Sequence, residues 1–336
     1  MDTIADNLSG RVSSRPTMKD NVMAKFQTGI EPKIMVVGST MIDMITYSKK
    51  IPEAGETVIG DTFALGFGGK GANQAVMTRR LGATVYMVNT LGDDVFGDTT
   101  LKNFQSQGID ISFIARVTGA SGVAPIWVEP NGTNRIICVP GANNAMTREQ
   151  AQSAVEGSAD IKVLIGQLEI PQEVTIAAFT AARKKGITTI LNPAPFAPLD
   201  QRLIEVSDWI IPNETEFAGM HPRGLRPESD AIIEELATTL GCRFAVTLGE
   251  NGAAYSNSSG SISRVSAPRV KAIDTTGAGD AFVGAFAYGL ASGLSDHDAA
   301  QLGCNCASDS VTRLGTQSSY PTPDQAKSLL AQVVGR

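Results

Sequence analysis

The sequence predicts an α/β fold: a doubly wound, mainly parallel sheet with helices on both faces, plus a small β-sheet lid. Three observations carry this prediction. From Lys33 onward, short apolar runs alternate with amphipathic stretches of helical length, the pattern of a parallel sheet covered on both sides. Two stretches, 57–67 and 123–139, break that rhythm: both are rich in β-formers and lack intervening helices. Finally, 42% of the 336 residues are hydrophobic, enough for one large core, while no apolar stretch reaches the length of a membrane span.

Residues 1–32 are polar and unpatterned, mixing Arg11, Arg15, Lys19 and Lys25 with Asp2, Asp6 and Asp20. They read as a disordered tail ahead of a domain spanning 33–336. They hold no apolar stretch of a secretory signal, and their acids argue against organelle targeting; a cytoplasmic protein is the expectation. Residues 34–37 form a short buried strand ending at Gly38-Ser39. A helix over 72–81, a strand at 85–88 and a helix over 95–107 follow. The β-rich run 161–168 leads to a helix over 171–185 that opens on Pro171, a residue suited to the first helical position. Strands at 187–191 and 208–211 precede a helix over 227–240, and a strand at 244–248 stops at Gly249. Helices at about 280–292, 296–312 and 322–333 complete the domain. The two stretches that break the rhythm, with Pro130-Asn131-Gly132-Thr133 as a hairpin signal, form the second sheet. Its strands come from about 43–68 and 118–141, as a flap over a cleft or as a dimer contact.

Composition excludes several classes of function. With 28 Lys and Arg against 34 Asp and Glu, the net charge is −6, which leaves no basic surface for nucleic acid. Cys138, Cys242, Cys304 and Cys306 form no C-x-x-C pair and read as buried packing residues in a reducing compartment. The two histidines, His221 and His297, have no nucleophile motif nearby, which argues against a Ser-His-Asp hydrolase or a His-ligated metal enzyme. Proton transfer then falls to a carboxylate or a lysine.

Two glycine motifs carry the chemistry. In Asp274-Thr275-Thr276-Gly277-Ala278-Gly279-Asp280, small residues and one acid precede an apolar run of helical length. That order puts bare N–H groups and a carboxylate at a helix N-terminus, where anions such as phosphate bind. Asp280 is the candidate base there; capping the helix is its plainer role. In Gly68-Gly69-Lys70-Gly71-Ala72-Asn73-Gln74, a tight loop leads into a helix, with Lys70 and Asn73 one turn apart. Close backbone approach, one cation and one amide suit a small polyhydroxylated substrate. A lysine is disfavoured at a helix start, so its position there points to a role. Read literally, Gly66, Gly68 and Gly71 also fit the dinucleotide fingerprint, with Asp93 or Asp94 downstream. The preceding strand is then the wrong one, and Gly71 in place of Ser or Thr after Lys70 rules out a P-loop.

The two motifs, in this order and spacing, resemble the two signatures of the ribokinase-like (PfkB) sugar-kinase family. Gln167-Leu168-Glu169, Asn192-Pro193-Ala194-Pro195, Pro212-Asn213-Glu214-Thr215-Glu216, Thr247-Leu248-Gly249 and Gly315-Thr316-Gln317-Ser318-Ser319 extend the likeness over about 33–325. Lys70 and the 192–195 run point to the ribokinase branch. The resemblance implies transfer of the γ-phosphoryl group of ATP to O5 of D-ribose, with Asp280 as base and the N–H groups of Gly277, Ala278, Gly279 and Asp280 as anion hole. It implies that the sugar is held by Met41, Asp43, Gly69, Lys70, Asn73, Glu169 and Asp280. The nucleotide would lie against Asn213, Thr247, Leu248, Gly249, Glu250, Asn251, Gly252, Gly279 and Cys304. Glu216 would help position Mg²⁺ indirectly. Asp274, Thr276, Ser310, Arg313, Gly315 and Ser319 would hold an activating K⁺. A homodimer joined through the lid is implied as well. One departure bears on the sugar: many ribokinases carry Asn where this chain has Met41, so one sugar hydrogen bond is lost or made by another group. The alternatives are a sister fructokinase or adenosine kinase, a non-catalytic sugar-binding module, and a nicotinamide-dependent oxidoreductase.

Overall fold

Four of the five residues of β1 (Lys33–Val37) are buried, because the strand has a packed layer on each side. Its side chains alternate between the two: Ile34 and Val36 join one hydrophobic core, Met35 and Val37 the other, as the two-residue period of a strand dictates. The computed structural model describes residues 31–130 and 132–335. Beside β1 run β4 (Thr84–Gly92) and β5 (Asp110–Val117) on one side. On the other run β8 (Ile161–Gly166), β9 (Thr188–Leu191), β10 (Trp209–Ile210) and β11 (Arg243–Thr247). All of these pair in parallel. The antiparallel strands β12 (Ala253–Ser256) and β13 (Ile262–Val265) finish that edge.

One core is closed by α1 (Lys70–Arg80), α2 (Val95–Gln107), α8 (Ala278–Ser292), α9 (Asp296–Ser310) and α10 (Pro323–Val334). The other is closed by α3 (Arg148–Gly157), α4 (Gln172–Lys184), α5 (Gln201–Glu205), α6 (Glu214–Met220) and α7 (Asp230–Leu240). The lid is a second sheet with strand order β3 (Thr62–Gly68), β2 (Met41–Tyr47), β6 (Val123–Val128) and β7 (Asn134–Ile136). The doubly wound fold with its β-lid is thus the one the sequence predicts.

From β1 the chain moves toward β4 and β5, whereas from β8 it moves toward β9 and β11. The strand order therefore reverses between β1 and β8, and open α/β sheets bind ligands outside the carboxyl ends of the strands at such a point.

Several details differ from the sequence reading. The fold already engages Pro32, whose carbonyl accepts the Thr84 N–H at 3.0 Å, and Glu31, which accepts the Thr84 hydroxyl. The rest of the predicted tail lies outside the described residues, as does Asn131 of the predicted hairpin. Cys242, Cys304 and Cys306 are buried as expected, but Cys138 is exposed, because it follows β7 at the edge of the lid sheet. Helix α8 starts at Ala278, two residues before the predicted start, with Gly277 as its N-cap. Among the described residues, no helix is long and apolar enough to cross a membrane.

Candidate active site

Three chain segments meet at the strand-order reversal: 38–40 after β1, the Gly68-Gly69 turn before α1, and 167–169 after β8. The Glu169 carboxylate ties them together, accepting the Ser39 hydroxyl and, at 2.8 Å, the Lys70 N–H at the start of α1. A helix N-terminus welcomes that negative charge. Gly69 has φ +86, and a Cβ there would lie 2.7 Å from the Met41 nitrogen and the Thr40 Cα, so only glycine lets the turn press against the base of β2.

Asp43 stands on β2 opposite Gly66. Burial, then the charges of Glu169 and Asp280, push its carboxyl up to about 6. Met41 lies two residues earlier on the same strand face and is only 4% exposed. The Lys70 ammonium is drawn down by burial, but Asp280, Glu169 and Glu216 outweigh this and hold it above its ordinary value. That charge set accounts for a lysine at a helix start.

The second motif packs against the first. Asp280 is 6% exposed; its Oδ2 accepts from Asn73 Nδ2 and its Oδ1 from Gln74 Nε2, both at 2.9 Å. It does not cap its helix, since Gly277 occupies that position with φ 76 and no side-chain cap forms. Among the described residues, the N–H groups of Gly279 and Asp280 have no partner, whereas that of Ala278 reaches the Thr275 carbonyl at 3.3 Å. Tyr320 donates its hydroxyl to the Gly277 carbonyl at 3.1 Å and braces the turn.

Beyond that turn lies a cavity of about 670 Å³. Of the residues expected at a nucleotide, Asn213, Thr247, Gly249, Glu250, Gly252, Gly279 and Cys304 line it. Leu248 and Asn251 do not: Leu248 is buried in the core and Asn251 closes a short 3₁₀ turn. The sequence reading missed the far wall, Ala267 to Val270 with Ala307, Ser308 and Val311, because it is loop and helix surface without a motif. Burial pushes the Cys304 thiol up to about 12, so it lines the cavity as a neutral group.

Glu216 forms a capping box with Asn213, its N–H donating to Asn213 Oδ1 at 2.8 Å and its Oε2 accepting the Asn213 N–H at 2.9 Å. Burial raises its carboxyl, with the Asn213 N–H and Lys70 opposing. Among the described residues, no group of three or more His, Cys, Asp or Glu is placed to hold a metal ion. A single carboxylate fits Mg²⁺ arriving with phosphates and water rather than held in a protein cage. The positions expected at K⁺ fall into two hydrogen-bonded groups. The Asp274 carboxylate accepts N–H groups from Thr276 and Gly315, each at 2.9 Å, and so spans two loops. Arg313 donates to the carbonyls of Ser310 and Ser319. Carbonyl and carboxylate oxygens suit a large, weakly hydrated cation.

The dinucleotide reading fails on topology. Gly66 and Gly68 lie in β3 of the lid, a strand paired antiparallel with β2, not in the turn between a parallel strand and its helix. Asp94 caps α2 through Gly97 N–H at 2.8 Å, and Asp93 accepts the Gly119 N–H at 3.0 Å.

Residues 31–323 match the family described as pfkB family carbohydrate kinase. The chain is 38% identical over 304 residues to a deoxyribokinase of Salmonella typhi, covering 89% of this chain and 98% of the relative. It is 38% identical over 299 residues to a ribokinase of Bacillus subtilis, covering 89% and 99%. Among solved structures it is similar to Arabidopsis thaliana ribokinase complexed with ribose and ATP, with a TM-score of 0.83, 29% identity and coverage of 90% and 99%. With these matches added to the fold and the paired glycine motifs, the chain belongs to the pfkB family of carbohydrate kinases.

Proposed function

We propose that the protein transfers the γ-phosphoryl group of ATP to O5 of D-ribose, giving D-ribose 5-phosphate and ADP. One observation carries this reading: the buried Asp280 carboxylate touches Asn73 of the first motif, while Gly279 beside it lines the large cavity. A single carboxylate thus stands between the polar cluster of Asp43, Lys70 and Glu169 and a nucleotide-sized cavity. Asp280 takes the proton from the sugar hydroxyl as its oxygen attacks. The free N–H groups of the α8 turn receive the charge of the transferred group, the main need of phosphoryl transfer. Asp43, Lys70, Glu169 and the Gly69 turn hold the other hydroxyls. Glu216 would hold water on Mg²⁺, which supplies charge neutralisation on the phosphates. The 274–276 and 310–319 loops would hold K⁺, which supplies positive charge beside the anion hole.

The test is ADP release across pentoses, hexoses and nucleosides. D-ribose should give the highest kcat/KM, and Na⁺ in place of K⁺ should slow turnover. No ADP release with any pentose removes the reading, and equal rates in both salts remove the K⁺ site.

A second acceptor, 2-deoxy-D-ribose, is favoured by Met41. A thioether offers no strong hydrogen bond to a sugar hydroxyl, so a substrate lacking one there leaves nothing unpaired. The relative named deoxyribokinase is consistent with that choice. Met41→Asn should move the ribose to deoxyribose preference toward ribose by about tenfold or more; an unchanged ratio puts Met41 away from the sugar.

Asp43 makes sugar binding depend on pH. Hydroxyl donors favour its ionised form, so binding releases a proton and lowers its pKa. The KM for sugar should therefore rise as pH falls from about 7 to about 5, and calorimetry near pH 6 should detect proton release. A flat KM contradicts this. The stability trend of the empty protein is opposite, because burial holds the Asp43 carboxyl above its ordinary range. The stability this group contributes is complete at low pH and is lost as pH rises through about 6.

The lid supports a homodimer. Phe63 and Leu65 share one face of β3 and are 58% and 57% exposed. A paired Phe63→Asp, Leu65→Asp variant should sediment as a monomer where the native chain sediments as a dimer. A native chain monomeric at micromolar concentration removes the dimer.

A further inference from the structure

Asp280 is held by amides whose own orientation is fixed from the backbone. The carbonyl of Ile211, just past β10, can only accept, and Asn192 Nδ2 donates to it at 2.8 Å. Asn192 must then turn its Oδ1 the other way, where it accepts from Gln74 Nε2 at 3.1 Å. Gln167 Nε2 donates to Gln74 Oε1 at 2.7 Å and fixes the same orientation from the opposite end. Gln74 is therefore locked with its two N–H bonds directed outward, one to Asn192 and one to Asp280 Oδ1. On the other oxygen, Asn73 is oriented in the same way by Gln317, which donates to Asn73 Oδ1 at 3.1 Å.

Gln74 is 0% exposed, so it reaches neither sugar nor nucleotide. A buried amide of this kind is tolerated only when its hydrogen bonds are made. Here they are complete only when an acceptor oxygen stands at position 280. Among the described residues, by contrast, Gln167 Oε1 has no partner; keeping a buried Gln there at that cost is consistent with its Nε2 being needed on Gln74.

We propose that Gln74 is the positioning residue of the Asp280 base, oriented by the Ile211 carbonyl through Asn192, and that it aims the carboxylate at the acceptor hydroxyl. This rests on the sugar-kinase reading above. Charged and titratable groups also surround Asp280: Lys70 on α1, Asp43 on β2, Glu169 after β8, Glu216 on α6 and Tyr320 after α9. Gln74 differs from all of them in touching the carboxylate directly without a charge of its own.

The test compares Gln74→Glu and Gln74→Met by steady-state kinetics over pH, with wild-type turnover as the reference. Gln74→Glu sets two carboxyls face to face, which do not both ionise at neutral pH, so one proton is shared between them there. Its kcat should fall about tenfold or more at neutral pH and recover as pH rises, with the KM values for sugar and ATP within about threefold of wild type. Gln74→Met, of similar length, should lose kcat by about tenfold at unchanged KM without that recovery. It carries the test should the acidic variant not fold. A Gln74→Glu profile parallel to wild type overturns the proposal, as does a loss residing in KM or a Gln74→Met variant with kcat within about threefold of wild type. A wild type that turns over no sugar overturns the kinase reading, and the proposal falls with it; altered variants beside an active wild type bear on Gln74 alone.

Discussion

Asp280→Asn should lower kcat by about 10²–10⁴-fold, the usual contribution of a general base, while the KM values for sugar and ATP stay within a few fold. Chemistry is lost because an amide cannot take the hydroxyl proton. The site adds a second consequence. Both Asp280 oxygens accept amide N–H groups, from Asn73 and from Gln74. An Asn at 280 must turn its own NH₂ toward one of these donors. Neither partner can flip freely: Gln317 holds the Asn73 oxygen and Gln167 the Gln74 oxygen. A buried donor facing a donor costs about 1–3 kcal/mol, so thermal unfolding of Asp280→Asn should shift downward. Asp280→Ala, which adds no donor, separates the two effects: equal kcat loss in both variants assigns it to the missing base. Activity above about a hundredth of wild type in either variant argues against Asp280 as that base.

Gly279→Ala should separate function from folding in the opposite direction. Among the described residues a Cβ at Gly279 meets nothing within 4 Å, and the residue sits in the first turn of α8 at the wall of the large cavity. Alanine favours a helix over glycine by up to about 1 kcal/mol, so the fold should be as stable as wild type or more so. The added methyl, however, stands where the phosphates must approach the N–H groups of Gly279 and Asp280. Removing one well-placed donor from such a site typically costs about 10²–10³-fold in kcat. A similar loss in kcat/KM for ATP, with unfolding temperature unchanged or raised, is the expected result. Gly277→Ala is the contrasting control. Its Cβ would lie 2.6 Å from Thr316 Cγ2 at a φ of 76, so stability and activity should fall together. Full activity in Gly279→Ala would mean that the nucleotide does not approach this turn.

Much of this arrangement was legible in the sequence because it is local. The β1 run, the 95–107 helix and both glycine turns are written in consecutive residues, and α2 (Val95–Gln107) has the predicted bounds. Elements with weak apolar signals were not legible. α3 buries only Ala151, Ala154 and Val155, and β5 alternates between exposed and half-buried residues without becoming fully buried. At the site, the chemistry-bearing residues stood in the motifs, but their connections did not. Gln74, Gln167, Asn192 and Gln317 are all in quoted motifs, yet their roles depend on contacts between residues up to 244 positions apart. Asn73 shows the same limit. Expected at the sugar, its amide already serves Asp280 and Gln317. Helix α1 buries both Asn73 and Gln74. Two adjacent amides in an otherwise small and apolar helical stretch were the one available signal that this face meets a polar partner.

The account is tested most directly by the position of the new phosphate. With [5-¹³C]-D-ribose, ATP, Mg²⁺ and K⁺, carbon and phosphorus NMR should show phosphorus coupling at C5 of the product from the wild-type protein. Phosphate on another oxygen of the sugar, or ADP formed with none on the sugar, would contradict a carboxylate that selects the 5-hydroxyl beside the waiting backbone donors.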